Sequence, residues 1–278
     1  MIVPREKAQE LIGQTDFQYK DLEIIPKFQF LWELFLPLPW LAVSLALYAS
    51  PLWFLGPFAT FYFFLCCLRL NHEAIHSNLG LKRRWDHVIM HGLSGLMIGS
   101  NHADAFCHLK HHADTMGHDD HEGHCARMSM WQVLLYGPKF PIDLNLATWK
   151  QGGAKWQRRI LIDWVCVAAL LVLALGSGWA ALQLHILVML IGQCLTAFFA
   201  VWITHWGTEE TGLAGRSQRG AFAWLAYQMF YHREHHLFPR VPVSRLAELG
   251  RRLDEQVEGY ADSHQAIVPT REVRAKPI

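Results

Sequence analysis

The sequence predicts an all-α integral membrane protein with four transmembrane helices in two hairpins and a helical part on the cytoplasmic side. Of its 278 residues, 52% are hydrophobic and 18% are charged, whereas about a quarter of the residues in a soluble domain are charged. Four apolar runs also approach the ~20 residues that a helix needs to cross a bilayer. A soluble helical protein is the alternative, but four such runs would overfill the core of so short a chain.

The four apolar runs form two close pairs. They are residues 31–50, 52–70, 160–175 and 179–202. Pro51 alone separates the first pair, and residues 176–178 separate the second. Such short connections predict two helical hairpins. Glu33, Pro37 and Pro39 interrupt the first run, so only its second half is uniformly apolar.

The positions of Lys and Arg predict the orientation in the membrane. The hairpin turns contain neither residue, whereas residues 71–159, between the hairpins, contain ten. Because positively charged loops stay in the cytoplasm, we expect a multi-pass protein with both termini and the histidine-rich parts, residues 71–159 and 203–267, on that side. The chain, residues 1–278, is interpreted as one membrane-bound domain. Its tail, residues 269–278, is expected to be disordered.

Histidine is the most informative part of the composition, because 17 are present in an apolar chain. Such residues are costly there unless they bind a ligand or move protons. The net charge is only +1 and no basic run occurs, so we expect no nucleic-acid partner. The six cysteines form no CxxC and are interpreted as small buried apolar residues, not disulfides.

Nine histidines fall at places that the predicted topology puts near the cytoplasmic membrane surface. They are His72 and His76 in HEAIH, His108, His111 and His112 in HLKHH, His205 in ITHW, and His232, His235 and His236 in HREHH. Histidines three or four residues apart share one helix face, so each HxxHH triple can direct three imidazoles at one volume. Nine imidazoles are too many for one ion and fit two transition metals, which the ligand type alone does not identify.

The stretch HEAIH also matches the HExxH pattern of zinc proteases, in which Glu73 would be the base. Intramembrane proteases of this kind usually add an aspartate in an Asp-Gly context. The sequence contains no Asp-Gly, and this alternative leaves both HxxHH triples unexplained. A transport protein would need ionisable groups in the middle of its spans, and only Asp163 and His185 come near such positions.

The motifs HEAIH, HLKHH and HREHHLFPRVP, with these spacings, resemble the three histidine boxes of the membrane-bound fatty acid desaturase superfamily. The superfamily also includes lipid hydroxylases and carotenoid ketolases. The resemblance covers residues 31–253 and implies a cytoplasmic helical cap in which the nine histidines hold two iron ions. It further implies dioxygen as co-substrate, electrons from a donor, and a lipid or other long apolar substrate, with no catalytic residue beyond the metal centre.

The activity that this resemblance implies is oxygen-dependent desaturation or hydroxylation of a lipid acyl chain. Carotenoid ketolation or hydroxylation is the nearest alternative. The fused cytochrome of some relatives, with its His-Pro-Gly-Gly pattern, is absent, so we expect a separate donor of the ferredoxin, rubredoxin or cytochrome b5 type. Val201 stands where a relative of known architecture has asparagine, four residues before the histidine that matches His205.

Acidic residues beside the histidines could accept hydrogen bonds from the ligand imidazoles and so orient them. The candidates are Glu73, Asp104 and Glu234. The stretch GHDDHEGH, residues 117–124, adds His118, His121 and His124 among further acids. A solvated loop or a contact to the substrate head group is the favoured interpretation of this stretch, and an additional metal site is the alternative.

Overall fold

A computed structural model of the chain describes residues 6–13 and 17–268, which contain helices and no strand. The helices are α1 (Ala8–Ile12), α2 (Lys27–Phe35), α3 (Pro37–Tyr48), α4 (Gly56–His76), α5 (Arg83–Met97), α6 (Asn101–Ala113), α7 (Met130–Tyr136), α8 (Phe140–Gln151), α9 (Gly153–Ser177), α10 (Ala180–Cys194), α11 (Ile203–His205), α12 (Thr208–Thr211), α13 (Gly220–Leu225), α14 (His232–Leu237) and α15 (Val243–Gln256). A π-helix, Ala197–Trp202, lies between α10 and α11. The tail expected to be disordered, residues 269–278, lies outside the described residues.

Three helical stretches are long and apolar enough to cross a bilayer, and a bent pair makes a fourth if it counts as one span. The stretches are Lys27–Tyr48, Trp53–His76 and Gly153–Ser177, and the pair is Ala180–Cys194 with Ala197–Thr211, bent by 43°. The predicted all-helical class is therefore confirmed, with three or four apolar spans at the predicted places.

The first span consists of two helices, α2 and α3, because Pro37 has no amide hydrogen to donate to the preceding turn. Glu33 is buried in this span, and its carboxylate accepts a hydrogen bond of 2.7 Å from Nε of Arg69 on α4. Charged groups in apolar surroundings are tolerated when they are paired. This ion pair therefore joins the two spans of the first hairpin.

Two helices extend beyond the apolar runs that predicted them. Helix α4 continues past residue 70 and carries the whole first histidine box, and α9 begins at Gly153 instead of residue 160. In each case the additional residues are mostly polar and lie at the end expected to be cytoplasmic. Hydropathy marks the apolar part of a helix, not the residue at which its hydrogen bonding begins.

The remaining helices pack over one end of the spans. Helix α5 packs on α4 and α9, and α6 packs on α8 and α9. Helices α14 and α15 form a separate apolar core with the N-terminal residues Leu11 and Phe17. All six cysteines are free; four of them are buried and two are partly buried.

Candidate metal centre

Four segments bring the nine predicted histidines together. They are the end of α4, the second half of α6, α11 in the second part of the bent fourth span, and α14. The side chains divide into two groups, defined by the nitrogens that face each other. Group one comprises His72, His76, His108, His112 and His235, and group two comprises His111, His205, His232 and His236.

In group one, the Nε2 atoms of five rings converge. His72 Nε2 lies 2.8 Å from His235 Nε2, and His76 Nε2 lies 3.1 Å from His108 Nε2. His112 Nε2 completes the group, 3.2 Å from His108 Nε2 and 2.9 Å from His235 Nε2. Ligand atoms of His72, His76, His108 and His235 all lie within 4.8 Å of one another, and His112 contacts two of these rings.

Group two repeats this arrangement with four rings. His205 Nε2 lies 3.0 Å from His111 Nε2 and 2.7 Å from His232 Nε2. His236 Nε2 lies 3.0 Å from His232 Nε2. The two groups are adjacent, because the rings of His112 and His236 stack with centroids 4.1 Å apart.

Each HxxHH triple is divided between the groups, whereas one common volume for each triple was expected. On α6, His108 and His112 belong to group one and His111 to group two. On α14, His232 and His236 belong to group two and His235 to group one. Residues four apart lie on nearly the same face of a helix. The remaining histidine of each box, His111 or His235, lies to one side of that face. One box can therefore serve two metal sites.

Two carboxylates contact Nδ1 of a ring in each group, on the side of the ring away from Nε2. Asp120 Oδ2 lies 2.6 Å from Nδ1 of His111, and Glu122 Oε1 lies 2.9 Å from Nδ1 of His108. Burial raises the pKa of Asp120, but the hydrogen bond and electrostatic attraction to His111, together with two backbone N–H groups, outweigh burial and lower that pKa. Each carboxylate accepts the Nδ1 proton, which leaves Nε2 of the ring free to bind a metal.

The nitrogen geometry suits bound transition metals. Two nitrogens that bind one ion at ~2.1 Å and at a right angle lie about 3.0 Å apart. Burial, and then the neighbouring imidazoles, hold the pKa values of His112, His232, His235 and His236 well below the usual range. Neutral rings present lone pairs to one another at these distances, and a cation between them stabilises the arrangement.

A third group, His91, His102 and Asp163, also has ligand-type atoms close together. Arg159 can only donate, so its 2.6 Å contact makes Nε2 of His87 an acceptor and puts the proton on Nδ1. That Nδ1 donates to Nε2 of His102 at 3.1 Å, whose Nδ1 then donates to Asp163 at 3.0 Å. His91 Nδ1 also contacts Asp163, at 2.5 Å. Each donor in this series of hydrogen bonds meets an acceptor, so the third group is satisfied without a metal ion.

The acids predicted from the sequence occupy other positions. Glu73 Oε1 accepts the backbone N–H of Val243 at 2.8 Å, which ties α4 to α15. Glu234 accepts hydrogen bonds from Ser217 Oγ at 2.7 Å and from Tyr260 OH at 3.0 Å. These contacts join α14 to the segments around it. Asp120 and Glu122, which accept hydrogen bonds from two of the nine rings, are not among these predicted acids.

The stretch of residues 117–124 contains both of these carboxylates, and its histidines point elsewhere. His118 is fully exposed, His121 Nε2 lies 2.8 Å from the Gln151 side-chain nitrogen, and His124 Nδ1 donates to the carbonyl of His121 at 2.9 Å. None of the three belongs to the histidine groups formed by the described residues.

An apolar cavity of about 500 Å³ ends at the histidine groups. Its walls come from α4, α10, the π-helix and residues 222–230, and its inner end is formed by His72, His108, His232 and His235. Asp104 lies at this end as well, where burial, followed by the neighbouring Glu122 carboxylate, raises its pKa to about 8. The arrangement can hold a long apolar molecule beside the two groups of nitrogens.

The family model described as fatty acid desaturase matches residues 48–267, which is more than half of the chain and contains all nine histidines. No curated protein and no solved structure matches the chain significantly.

Proposed function

The chain belongs to the fatty acid desaturase family, and from this premise we propose that it is a di-iron enzyme that desaturates or hydroxylates a lipid acyl chain with dioxygen. The main support is the position of two histidine groups, of five and four rings, at the inner end of an apolar cavity. The apolar spans and the family both indicate a membrane protein that acts on a lipid.

In this proposal, one iron is held by group one and the other by group two, so all nine predicted histidines are ligands. Iron bound there would supply two-electron chemistry with dioxygen that can remove hydrogen from an unactivated C–H bond. Asp120 and Glu122 would keep Nε2 of His111 and His108 directed at the ions. No further side chain is assigned a catalytic role.

The cavity would position the substrate and exclude water. Thr60 and His72 both line it and are 12 residues apart on α4, which corresponds to about 18 Å of helix. An extended acyl chain lying along α4 would therefore bring an internal carbon to the histidines and keep its end among apolar side chains. The depth at which the chain stops would determine the carbon that reacts.

We further propose that electrons come from a separate protein of the ferredoxin, rubredoxin or cytochrome b5 type on the cytoplasmic side. Support comes from a second opening, of about 450 Å³, which reaches His112 of group one and His236 of group two. Polar side chains, among them Lys7 and Asp114, border it. Ten Lys and Arg between the hairpins, and none in the hairpin turns, favour the cytoplasmic side for this face.

The first experiment is elemental analysis and Mössbauer spectroscopy of iron-57-enriched protein purified in mild detergent. About two coupled irons per chain is the expected result, because the rings form two groups. Lipid and pigment extracts from expressing cells then separate an altered acyl chain from an altered carotenoid. One zinc and no iron in active protein would contradict the proposal and favour a protease.

A further inference from the structure

The outer wall of the cavity is a surface segment, residues 220–230, which leads into the third histidine box. Five of its side chains line the cavity: Phe222, Leu225, Ala226, Met229 and Phe230. Three large apolar side chains of this segment are also turned outward, with exposed fractions of 42% for Phe222, 71% for Trp224 and 50% for Leu225. The segment is therefore apolar on its inner and its outer side.

The cavity opens sideways beside this segment. Phe61 on α4 and Ile191 on α10 line the cavity and are exposed as well, like Phe222 and Leu225. A side chain with both properties lies at an opening, so these four residues mark its rim. Since α4 and α10 belong to apolar spans, the opening faces the acyl region of the bilayer.

The far end of the segment is fixed to the first hairpin. Trp40 Nε1 donates a hydrogen bond of 2.9 Å to the hydroxyl of Tyr227, and Arg69 of α4 donates to the Tyr227 carbonyl. Tyr227 and Gln228 have backbone φ angles of +50° and +62°, which residues other than glycine rarely adopt. Contacts with two spans hold this turn, so the segment lies at the level of the membrane.

The polar groups at the inner end argue against a charged head group there. The carboxyl groups of Asp104 and Glu122 line the cavity, and none of its lining residues within the described chain is Lys or Arg. Phosphate groups are bound by cationic side chains or by the amides of helix N-termini. The phosphates of an acyl-CoA that reached this end would meet carboxyl groups instead.

We infer that the substrate is a membrane lipid whose acyl chain enters the cavity sideways, between α4, α10 and the 220–230 segment. Its head group stays outside, at the membrane surface. The occupant is therefore a chain of the surrounding bilayer and not a water-soluble acyl thioester. The inference rests on the proposed function for the reaction, but the route itself depends only on the cavity, its rim and its charge.

Photolabelling tests the route without requiring turnover. The whole chain is reconstituted in phosphatidylcholine vesicles, with a diazirine in the middle of a phosphatidylcholine acyl chain or, separately, in an acyl-CoA. We expect the phospholipid probe to label peptides that contain Met229 and Phe64, which line the cavity. Labelling by acyl-CoA alone, or by neither probe, overturns the inference. Iron and product analysis of the same sample tests the proposed function separately.

Variants at the rim test the direction of access. Leu225→Asp places a charge at the opening and should lower cavity labelling at least tenfold, whereas Leu225→Ala should retain it. Leu135→Asp is the matched control, because Leu135 is 84% exposed and belongs to α7, which does not line the cavity. Equal labelling of Leu225→Asp and wild-type protein, each with unchanged bound iron, would show that the lipid takes another path.

Discussion

Asp120 Oδ2 lies 2.6 Å from Nδ1 of His111, and this contact determines which nitrogen of the ring is available to a metal. The same carboxylate accepts backbone N–H groups of Met116 at 2.8 Å and Gly123 at 2.7 Å, so it is fixed by its own loop. Nε2 of His111 consequently points at Nε2 of His205. A loop that resembled a solvated polar stretch in the sequence thus orients a candidate ligand.

Asp120→Asn should weaken iron binding without removing a ligand. The amide keeps the size of the side chain but loses the negative charge that holds the Nδ1 proton, and such changes lower metal affinity ~10–100-fold. Iron per chain is measured after dialysis against increasing chelator. Asp119→Asn is the control, because that neighbouring side chain is 74% exposed. Equal iron retention in Asp120→Asn and wild-type protein would remove Asp120 from this role.

His108→Ala and His235→Ala should each abolish activity and lower bound iron, because both rings belong to group one. His264→Ala should do neither, although it removes a 2.9 Å contact with Asp254 and can lower stability. His118→Ala, at a fully exposed position, is the second control. Iron analysis of the four purified variants is the measurement. Loss of iron in His264→Ala with retention in His108→Ala would reverse the assignment.

His91→Ala should lower thermal stability and leave the iron content unchanged. It removes one hydrogen-bond donor from the buried Asp163 carboxylate, and an under-satisfied buried group costs ~1–3 kcal/mol. Thermal unfolding in detergent and elemental analysis provide the two readouts. His121→Ala is the control, because its side chain contacts the exposed Gln151 and does not belong to the third group. A metal lost specifically from His91→Ala would make the third group a metal site.

The stability of the metal-free protein should include a pH-dependent contribution from Asp104. Burial raises its pKa from 3.8 to about 8, with a smaller contribution from Glu122. For a folded pKa above the unfolded value, the contribution is fully present below pH ~4 and is lost as the pH rises to about 8. Asp104→Asn cannot ionise, so its melting temperature should fall less than that of wild-type protein between pH ~6 and ~9.

Asp119→Asn, with its exposed side chain, serves as the control for the pH series and should follow the wild-type curve. Parallel curves for Asp104→Asn and wild-type protein would mean that Asp104 does not titrate in this range. The comparison between variants matters, because buried histidines with lowered pKa values change stability in the opposite direction.

The spans and the nine histidines could be predicted because local patterns determine them. Apolar length identifies a span, and spacing of three or four residues identifies one face of a helix. The break in the fourth span was not predictable from apolar content, because Ala197–Trp202 is as apolar as its neighbours yet adopts a π-helix. This break lies directly before α11, which carries His205.

The roles of Asp120 and Glu122 depend on the path of a loop. Asp104 is closer in sequence to His108, with one helical turn between them, yet the carboxylate that contacts the His108 ring is Glu122. Spacing within a helix is fixed by its geometry, whereas the return of a loop to that helix depends on many tertiary contacts. Sequence proximity therefore pointed to Asp104. The fold instead brings Asp120 to His111, nine residues earlier, and Glu122 to His108, fourteen residues earlier.

Helix α4 is one uninterrupted helix from Gly56 in an apolar span to His76 at the candidate metal centre. Its tilt responds to the thickness of the hydrocarbon layer, because a span adapts to mismatch by tilting. A tilt of α4 displaces His72 and His76 together, while His108, His112 and His235 belong to helices outside the spans. In the proposed di-iron enzyme, bilayer thickness would thereby be coupled mechanically to the coordination of one ion, and the surrounding membrane would tune the reactivity of the centre.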